Sequence, residues 1–170
     1  MELSKRHELE ETAKKVRQGI LIGVYNAKSG HPGGSLSAAD ILTYLFFSQM
    51  NIDPKNPGYE DRDRFVLSKG HAAPALYSVL ALRGFFPFAE LSTLRHTGSI
   101  LQGHPCINST PGLDASTGSL GQGISVAAGL ALGAKIKNKD YHIYTLLGDG
   151  EIEEGQVWEA AMFAGARKLD

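Results

Sequence analysis

Three of the six histidines in this 170-residue chain stand inside short glycine-bearing runs. They are Ser29-Gly30-His31-Pro32-Gly33-Gly34-Ser35, Leu67-Ser68-Lys69-Gly70-His71 and Gln102-Gly103-His104-Pro105. An imidazole changes charge near neutral pH, so it can pass protons or meet an anion. Glycines on both sides of His31 allow a sharp bend that exposes the ring, and Pro32 removes a donor and stiffens the turn. The plain alternative is a Gly/Pro helix stop with an incidental surface histidine. The run at His71 follows a candidate strand and opens a helix, where backbone N–H groups attract anions and His71 adds a donor. An ordinary strand-to-helix turn explains it equally well. Gly103-His104-Pro105 carries no functional signal by itself.

Two further runs have other chemistry. Ser116-Thr117-Gly118-Ser119-Leu120-Gly121-Gln122-Gly123 is a glycine-rich turn entering a helix. It suits backbone approach to a flat ring or a phosphate, or close packing of helix on sheet. Gly148-Asp149-Gly150 puts a carboxylate at the end of an apolar run. Mg²⁺ prefers oxygen ligands and usually joins one or two carboxylates to substrate phosphates. Asp149 alone cannot make such a site and needs a diphosphate, a carbonyl, water or an amide beside it; a plain Asp-Gly turn is the alternative. Glu151 and Glu153 read as a solvated acidic helix start, favoured by the helix dipole.

The elements that must position these runs follow from periodicity. Leu9, Ala13, Val16, Ile20, Val24 and Ala27 recur at helical steps and predict an amphipathic helix over residues 8–28, followed by a loop at residues 31–34. Ser37-Ala38-Ala39-Asp40 has the form of a capping box opening a helix to about Gln49. Residues 51–63 are a polar surface connection. Residues 64–68 form a short strand, 72–82 a helix ending before Gly84, and 88–95 a shorter one. Residues 96–116 are irregular, and loops of that length are usually functional. Residues 124–137 form a long Ala/Gly-rich helix, 142–147 a buried strand, and 156–167 a further helix. Strands separated by helices imply an α/β fold with a parallel sheet flanked by helices, whose ligands bind beyond the carboxyl ends of the strands. A helix ending near Lys168 should feed another strand, with Leu169-Asp170 as its approach, so residues 1–170 read as an incomplete domain.

Composition excludes other classes. Hydrophobic residues are 42% and charged residues 21%, with a net charge of −1, as in a soluble globular domain. Basic residues are interleaved with acids, so there is no nucleic-acid footprint. No apolar run approaches the roughly 20 residues of a membrane helix, and residues 1–18, rich in Lys, Arg and Glu, lack an apolar signal core. With a single cysteine, Cys106, no intrachain disulfide is possible, and a cytoplasmic location is expected. Glycine, 20 residues or about 12% against roughly 7% in average proteins, is concentrated in the runs above rather than in linkers.

Taken in order, the five runs resemble transketolase, from about Arg17 to the last residue. The resemblance implies the thiamine-diphosphate-binding fold and a transferase that moves a two-carbon ketol unit between sugar phosphates of the pentose phosphate pathway, using thiamine diphosphate and Mg²⁺ (or Ca²⁺ or Mn²⁺). It implies that His31 contacts the donor sugar and assists proton transfer, and that His104 meets substrate near the reactive carbon. His71 then touches the cofactor diphosphate. Gly118, Ser119 and Leu120 form the turn against the aminopyrimidine; the family often has proline where Ser119 stands, and a backbone role survives that change. Asp149 is a metal ligand, Gly150 a diphosphate contact, and Glu154 a glutamate at the subunit boundary beside the cofactor sites.

The same resemblance implies missing parts: a downstream asparagine completing the metal shell, a glutamate on a pyrimidine-binding domain, and a C-terminal domain. A partner subunit or domain carrying these is expected, in a homodimer or heterotetramer. Residues 118–130 are rich enough in Gly and Ala for tight helix contacts, and the short stretch from Gly98 to Asp114 suits an enzyme split into two polypeptides. The isolated chain is expected to be inactive. Other superfamily members are 1-deoxyxylulose-5-phosphate synthase, dihydroxyacetone synthase and sulfo-sugar transketolase; residues 70–77 look more like transketolase than the first. A non-catalytic binding module that kept the fold is the alternative from another class.

Overall fold

The computed structural model describes residues 2–169. Its first element, α1 (Leu3–Ala27), buries Leu9, Ala13, Val16 and Ile20 along the stripe the sequence predicts, together with Gly19 and Gly23, while Val24 and Ala27 of that stripe are half-buried. A Cβ on Gly19 would come within 2.7 Å of Ser78 Oγ and 2.9 Å of Leu91. That close approach seats α1 on α4 (Ala73–Arg83), whose residues are buried from Ala73 to Ala81. Val16, Ile20, Leu42, Leu76, Val79 and Leu80 make the centre of the core.

The segment after α1 departs from the predicted loop. Residues Pro32–Leu36 form a short helix, α2, with Pro32 in its first turn, where the missing N–H and fixed φ of proline are suited to helix initiation. Ser37 therefore closes α2 rather than opening the next helix. Its hydroxyl donates to Gly34 O at 3.0 Å, and α3 (Ala39–Tyr44) begins with no side-chain cap. The capping box does not form, and Asp40 instead pairs with Arg17 at 2.5 Å. A π-helical turn, Leu45–Gln49, completes this helix.

Two parallel strands, β1 (Arg64–Leu67) and β2 (Ile143–Leu146), pair in register from Arg64 with Ile143 to Leu67 with Leu146. Between them run a 3₁₀ turn (Gly70–Ala72), α4, a 3₁₀ helix (Phe88–Thr93), the long irregular stretch and α5 (Gly123–Ile136). After β2 come a 3₁₀ turn (Glu151–Glu153) and α6 (Gly155–Arg167), which packs on α5. The α/β class with a parallel sheet and flanking helices is as the sequence implies. β2 is shorter than predicted and half-buried along its length rather than buried, because β1 is its one partner among the described residues. The expected approach to a further strand at Asp170 lies outside the described residues.

At the amino ends of the strands, buried Asp63 accepts from the backbone N–H of His142 and of Asn51, each at 2.8 Å. The polar connection is thereby tied to the start of β2. At the carboxyl ends, Ser68 N donates to Leu146 O at 3.0 Å, so the two strand ends lie side by side. Among the described residues no helix is long and apolar enough to cross a membrane.

Glycine governs how α5 meets the sheet. A Cβ on Gly123 would lie 2.5 Å from Ser68 Cα, whereas one on Gly129, in the exposed middle of the same helix, would meet nothing within 4 Å. Gly123→Ala is expected to lower stability by about 1–3 kcal/mol or more through overpacking against backbone. Gly129→Ala is expected to raise it by about 0.5–1 kcal/mol. Chemical denaturation of the two variants checks the opposite signs.

Candidate active site

The five glycine-bearing runs converge at the carboxyl ends of β1 and β2. His31, just before α2, and His71, in the 3₁₀ turn after β1, face each other with ring centroids 5.2 Å apart. The His71 ring packs on Gly34, where an added Cβ would be 3.1 Å from Nε2. Gly70, beside His71, lies against the backbone of the glycine-rich turn: its Cβ would be 2.7 Å from Gly118 N. Gly118 in turn supports the His104 ring, 3.3 Å from its own would-be Cβ. His31, His71, Gly118 and His104 therefore form one continuous surface. His31 and His104 are exposed and His71 is half-buried. The buried Tyr77 hydroxyl donates towards Gln102 O and His104 O, at 2.9 and 3.1 Å, and so anchors the strand of loop that carries His104; burial pushes its phenol well above the usual range.

Glu151 cross-links three of these runs. The sequence predicts a solvated helix-start acid here, but Glu151 is 2% exposed. One carboxylate oxygen accepts from Ser68 Oγ at 2.5 Å and from Gly121 N at 2.9 Å. The other accepts from Gly148 N at 2.8 Å. A single side chain thus ties the end of β1, the glycine-rich turn and the end of β2. In a capping box a glutamate accepts from the backbone N–H three residues before it, and Glu151 does so from Gly148. That was the available signal. Glu153 does remain exposed, as expected.

Lys69 is the second missed residue. It is 8% exposed, and its ammonium donates to Gly34 O and to Ser37 Oγ, each at 3.2 Å. Among the described residues no carboxylate lies within ion-pair distance of it. Burial lowers its pKa, with the charges of Asp149 and Glu151 pulling the other way. Burial likewise lowers the pKa of His71, helped by the neighbouring His31 and Lys69 and opposed by Glu151. The site therefore holds a buried ammonium and an imidazole whose protonated form burial disfavours, and a nearby anion favours the charged form of each.

Asp149 and Gly150 stand exposed just past β2, and a Cβ on Gly150 would meet nothing within 4 Å. Ser119 and Leu120 are exposed on the turn. Glu154 stands at the N-cap position of α6 without a side-chain cap bond and packs on Gly121, whose φ is +80° and whose Cβ would be 3.1 Å from Glu154 Cβ. Among the described residues no three His, Cys, Asp or Glu side chains are grouped to hold a metal. One free carboxylate beside a buried ammonium and a histidine fits a hard cation carried with a phosphate-bearing group, and does not fit a metal bound by protein alone.

Comparison with known proteins agrees with this layout. The family model described as the transketolase thiamine diphosphate binding domain matches residues 9–170. The 6-deoxy-6-sulfo-D-fructose transketolase subunit SqwG of Clostridium sp. (strain MSTE9) is 50% identical over 163 residues, 96% of this chain and 59% of the relative. Transketolase of Mus musculus is 49% identical over 166 residues, 95% of this chain and 26% of the relative. The crystal structure of transketolase from Campylobacter jejuni superposes with a TM-score of 0.88 at 40% identity, covering 95% of this chain and 26% of that one. The chain thus spans less than two thirds of the length of these relatives.

Two outcomes follow from the buried groups. Glu151→Ala leaves three donors without their acceptor and is expected to cost about 3 kcal/mol or more, against a much smaller change for Glu153→Ala; urea denaturation compares them. The folded pKa of His71 lies below its unfolded value, so the unfolded chain takes up the proton first as pH falls. Its contribution to stability is complete above the unfolded pKa of about 6.5 and is lost on acidification below it. Replacing His71 by Gln should flatten the pH profile of the ligand-free chain below about 6.5, measured as melting temperature against pH.

Proposed function

The chain belongs to the transketolase thiamine diphosphate-binding domain family, and we propose that it is the diphosphate-binding part of a transferase that moves a two-carbon ketol unit between sugar phosphates. The observation that carries the reading is the convergence of all five runs on one face at the strand ends, three of them knitted by Glu151. When bound, thiamine diphosphate supplies the electron sink that such a transfer requires. Residues 1–170 are then an incomplete form of the binding domain, completed by further sequence.

The chain's own residues have separable tasks. Asp149 offers its carboxylate to Mg²⁺, which neutralises diphosphate charge, and Gly150 leaves open space for the phosphate oxygens. Lys69 and His71 supply positive charge and a donor from the opposite side. The backbone of Gly118, Ser119 and Leu120 lines the aminopyrimidine, and its position depends on the Gly121 bond to Glu151. His31 and His104 face solvent where a sugar can reach them; they hold and pass protons at the substrate's hydroxyl and carbonyl oxygens. Glu154, at the outer rim, faces the neighbouring subunit.

The site is an open half. A partner subunit or domain with the pyrimidine-binding elements closes it, in a homodimer or a heterotetramer. Relatives of similar identity whose names describe subunits support this reading. So do the exposed apolar side chains of Trp158, Met162 and Phe163 on α6, which form an apolar surface of the kind that marks an interface. A sulfonated ketose as donor is the second reading, favoured by the 50% identity to the sulfo-sugar subunit.

In the complete protein with its partner, Asp149→Ala is expected to weaken thiamine diphosphate binding in Mg²⁺ by about tenfold or more, the loss of one charge-assisted ligand, and to lower turnover with it. Calorimetry and a panel of phosphorylated and sulfonated ketose donors measure both. Unchanged affinity and turnover would sink the proposal.

A further inference from the structure

Arg95 has a left-handed backbone, with φ of +64°, a conformation that costs a non-glycine residue about 1 kcal/mol or more. Its N–H donates to Leu101 O at 2.9 Å, closing a tight bend that includes Gly98 at φ +81°. The guanidinium lies between two of the histidine-bearing runs. Nη1 donates to Ser29 Oγ at 2.6 Å and Nη2 to Gly103 O at a longer 3.4 Å. The guanidinium also lies on Gly103, where a Cβ would be 3.1 Å from Nε and 3.3 Å from Cζ. Ser29 is two residues before His31, and Gly103 is immediately before His104. Among the described residues no direct hydrogen bond joins these two runs, and no carboxylate lies within ion-pair distance of Arg95.

We propose that Arg95 is a positioning residue that fixes the separation of His31 and His104 by bridging their runs, and so sets the geometry in which a sugar is gripped. The inference rests on the reading of those histidines as the substrate-facing pair. A planar, forked cation can bridge two acceptors at once, whereas an ammonium on a flexible stem cannot hold both in one geometry. The strained backbone fits this role, because a residue chosen for local stability at this position would be glycine.

Arg95→Gly separates a positioning role from a merely structural one. It relieves the left-handed strain, so the complete protein with its partner should keep or raise its melting temperature. At the same time kcat/KM for the ketose donor should fall by at least about tenfold, since small misplacements of reacting groups are costly. The affinity for thiamine diphosphate should stay within about twofold, because the cradle is held by Glu151 instead. Arg95→Lys should recover little of the lost kcat/KM. Ser29→Ala should lower it as well, and the double variant with Arg95→Gly should be no worse than Arg95→Gly alone, as expected for two ends of one contact. Amide hydrogen exchange across residues 29–31 and 102–104 should quicken in Arg95→Gly whether or not the assembly turns over. Absence of ketol transfer by the wild-type assembly would count against the function proposed above, and exchange would then still judge the bridge. Unchanged exchange, unchanged kcat/KM in an active assembly, additive losses in the double variant, or a parallel fall in melting temperature and cofactor affinity would each overturn the role of Arg95.

Discussion

Everything at the head of this sheet depends on one carboxylate, that of Glu151, being held in the interior by donors from three segments. A buried charge without donors would cost several kcal/mol. Here Ser68 Oγ and the backbone N–H groups of Gly121 and Gly148 meet it, and bonds to a charged group are the stronger class. The three donors come from residues 68, 121 and 148, which are far apart in sequence. The interaction therefore fixes tertiary geometry rather than a local turn, and it fixes the two loops that differ most in their proposed tasks, the ring-facing turn and the metal-facing turn. Lys69 extends the network to a fourth segment through Gly34 O and Ser37 Oγ.

Glycine makes this convergence possible where side chains would forbid it. Gly70 against Gly118 and Gly123 against Ser68 are contacts at which a Cβ would stand 2.7 and 2.5 Å from backbone atoms. Such distances leave no room for adjustment, because the neighbour is main chain. The loops can thus be stacked tightly enough for His71, His104 and the glycine-rich turn to share a surface. The bulk of the stabilisation lies elsewhere, in the apolar contacts of α1 and α4, on which the loops rest.

The runs themselves were legible in the sequence because their chemistry is unusual: histidine between glycines, an aspartate flanked by glycines, and apolar residues before them at strand spacing. The fold class was legible from the alternation of helical and strand periods. Glu151 was not, because an acid after Asp149-Gly150 has an adequate local explanation in the helix dipole, and the donors that reverse it are brought in only by the tertiary fold. Ser37 failed in the opposite way. It has the residue types of a cap, yet Pro32 starts a helix five residues earlier and leaves Ser37 at that helix's end. The apolar composition of β2 predicts a buried strand, but burial depends on neighbours, and a second flanking strand is not among the described residues.

The site is built against its own stability. Lys69 is buried without an ion pair among the described residues, burial disfavours the protonated form of His71, and Arg95 holds a left-handed backbone, all within reach of the same loops. Each feature costs something in the unliganded chain, and helical packing of α1 against α4 offsets it. Two of these features, the unpaired ammonium and the half-buried imidazole, are relieved when negative charge arrives between them, so part of the folding cost returns as binding free energy and the anion stabilises the folded form by mass action. Arg95 is different, because an anion at the strand ends does not relieve a backbone dihedral. Its strain is therefore not returned as binding free energy, which suits a residue that serves geometry rather than binding.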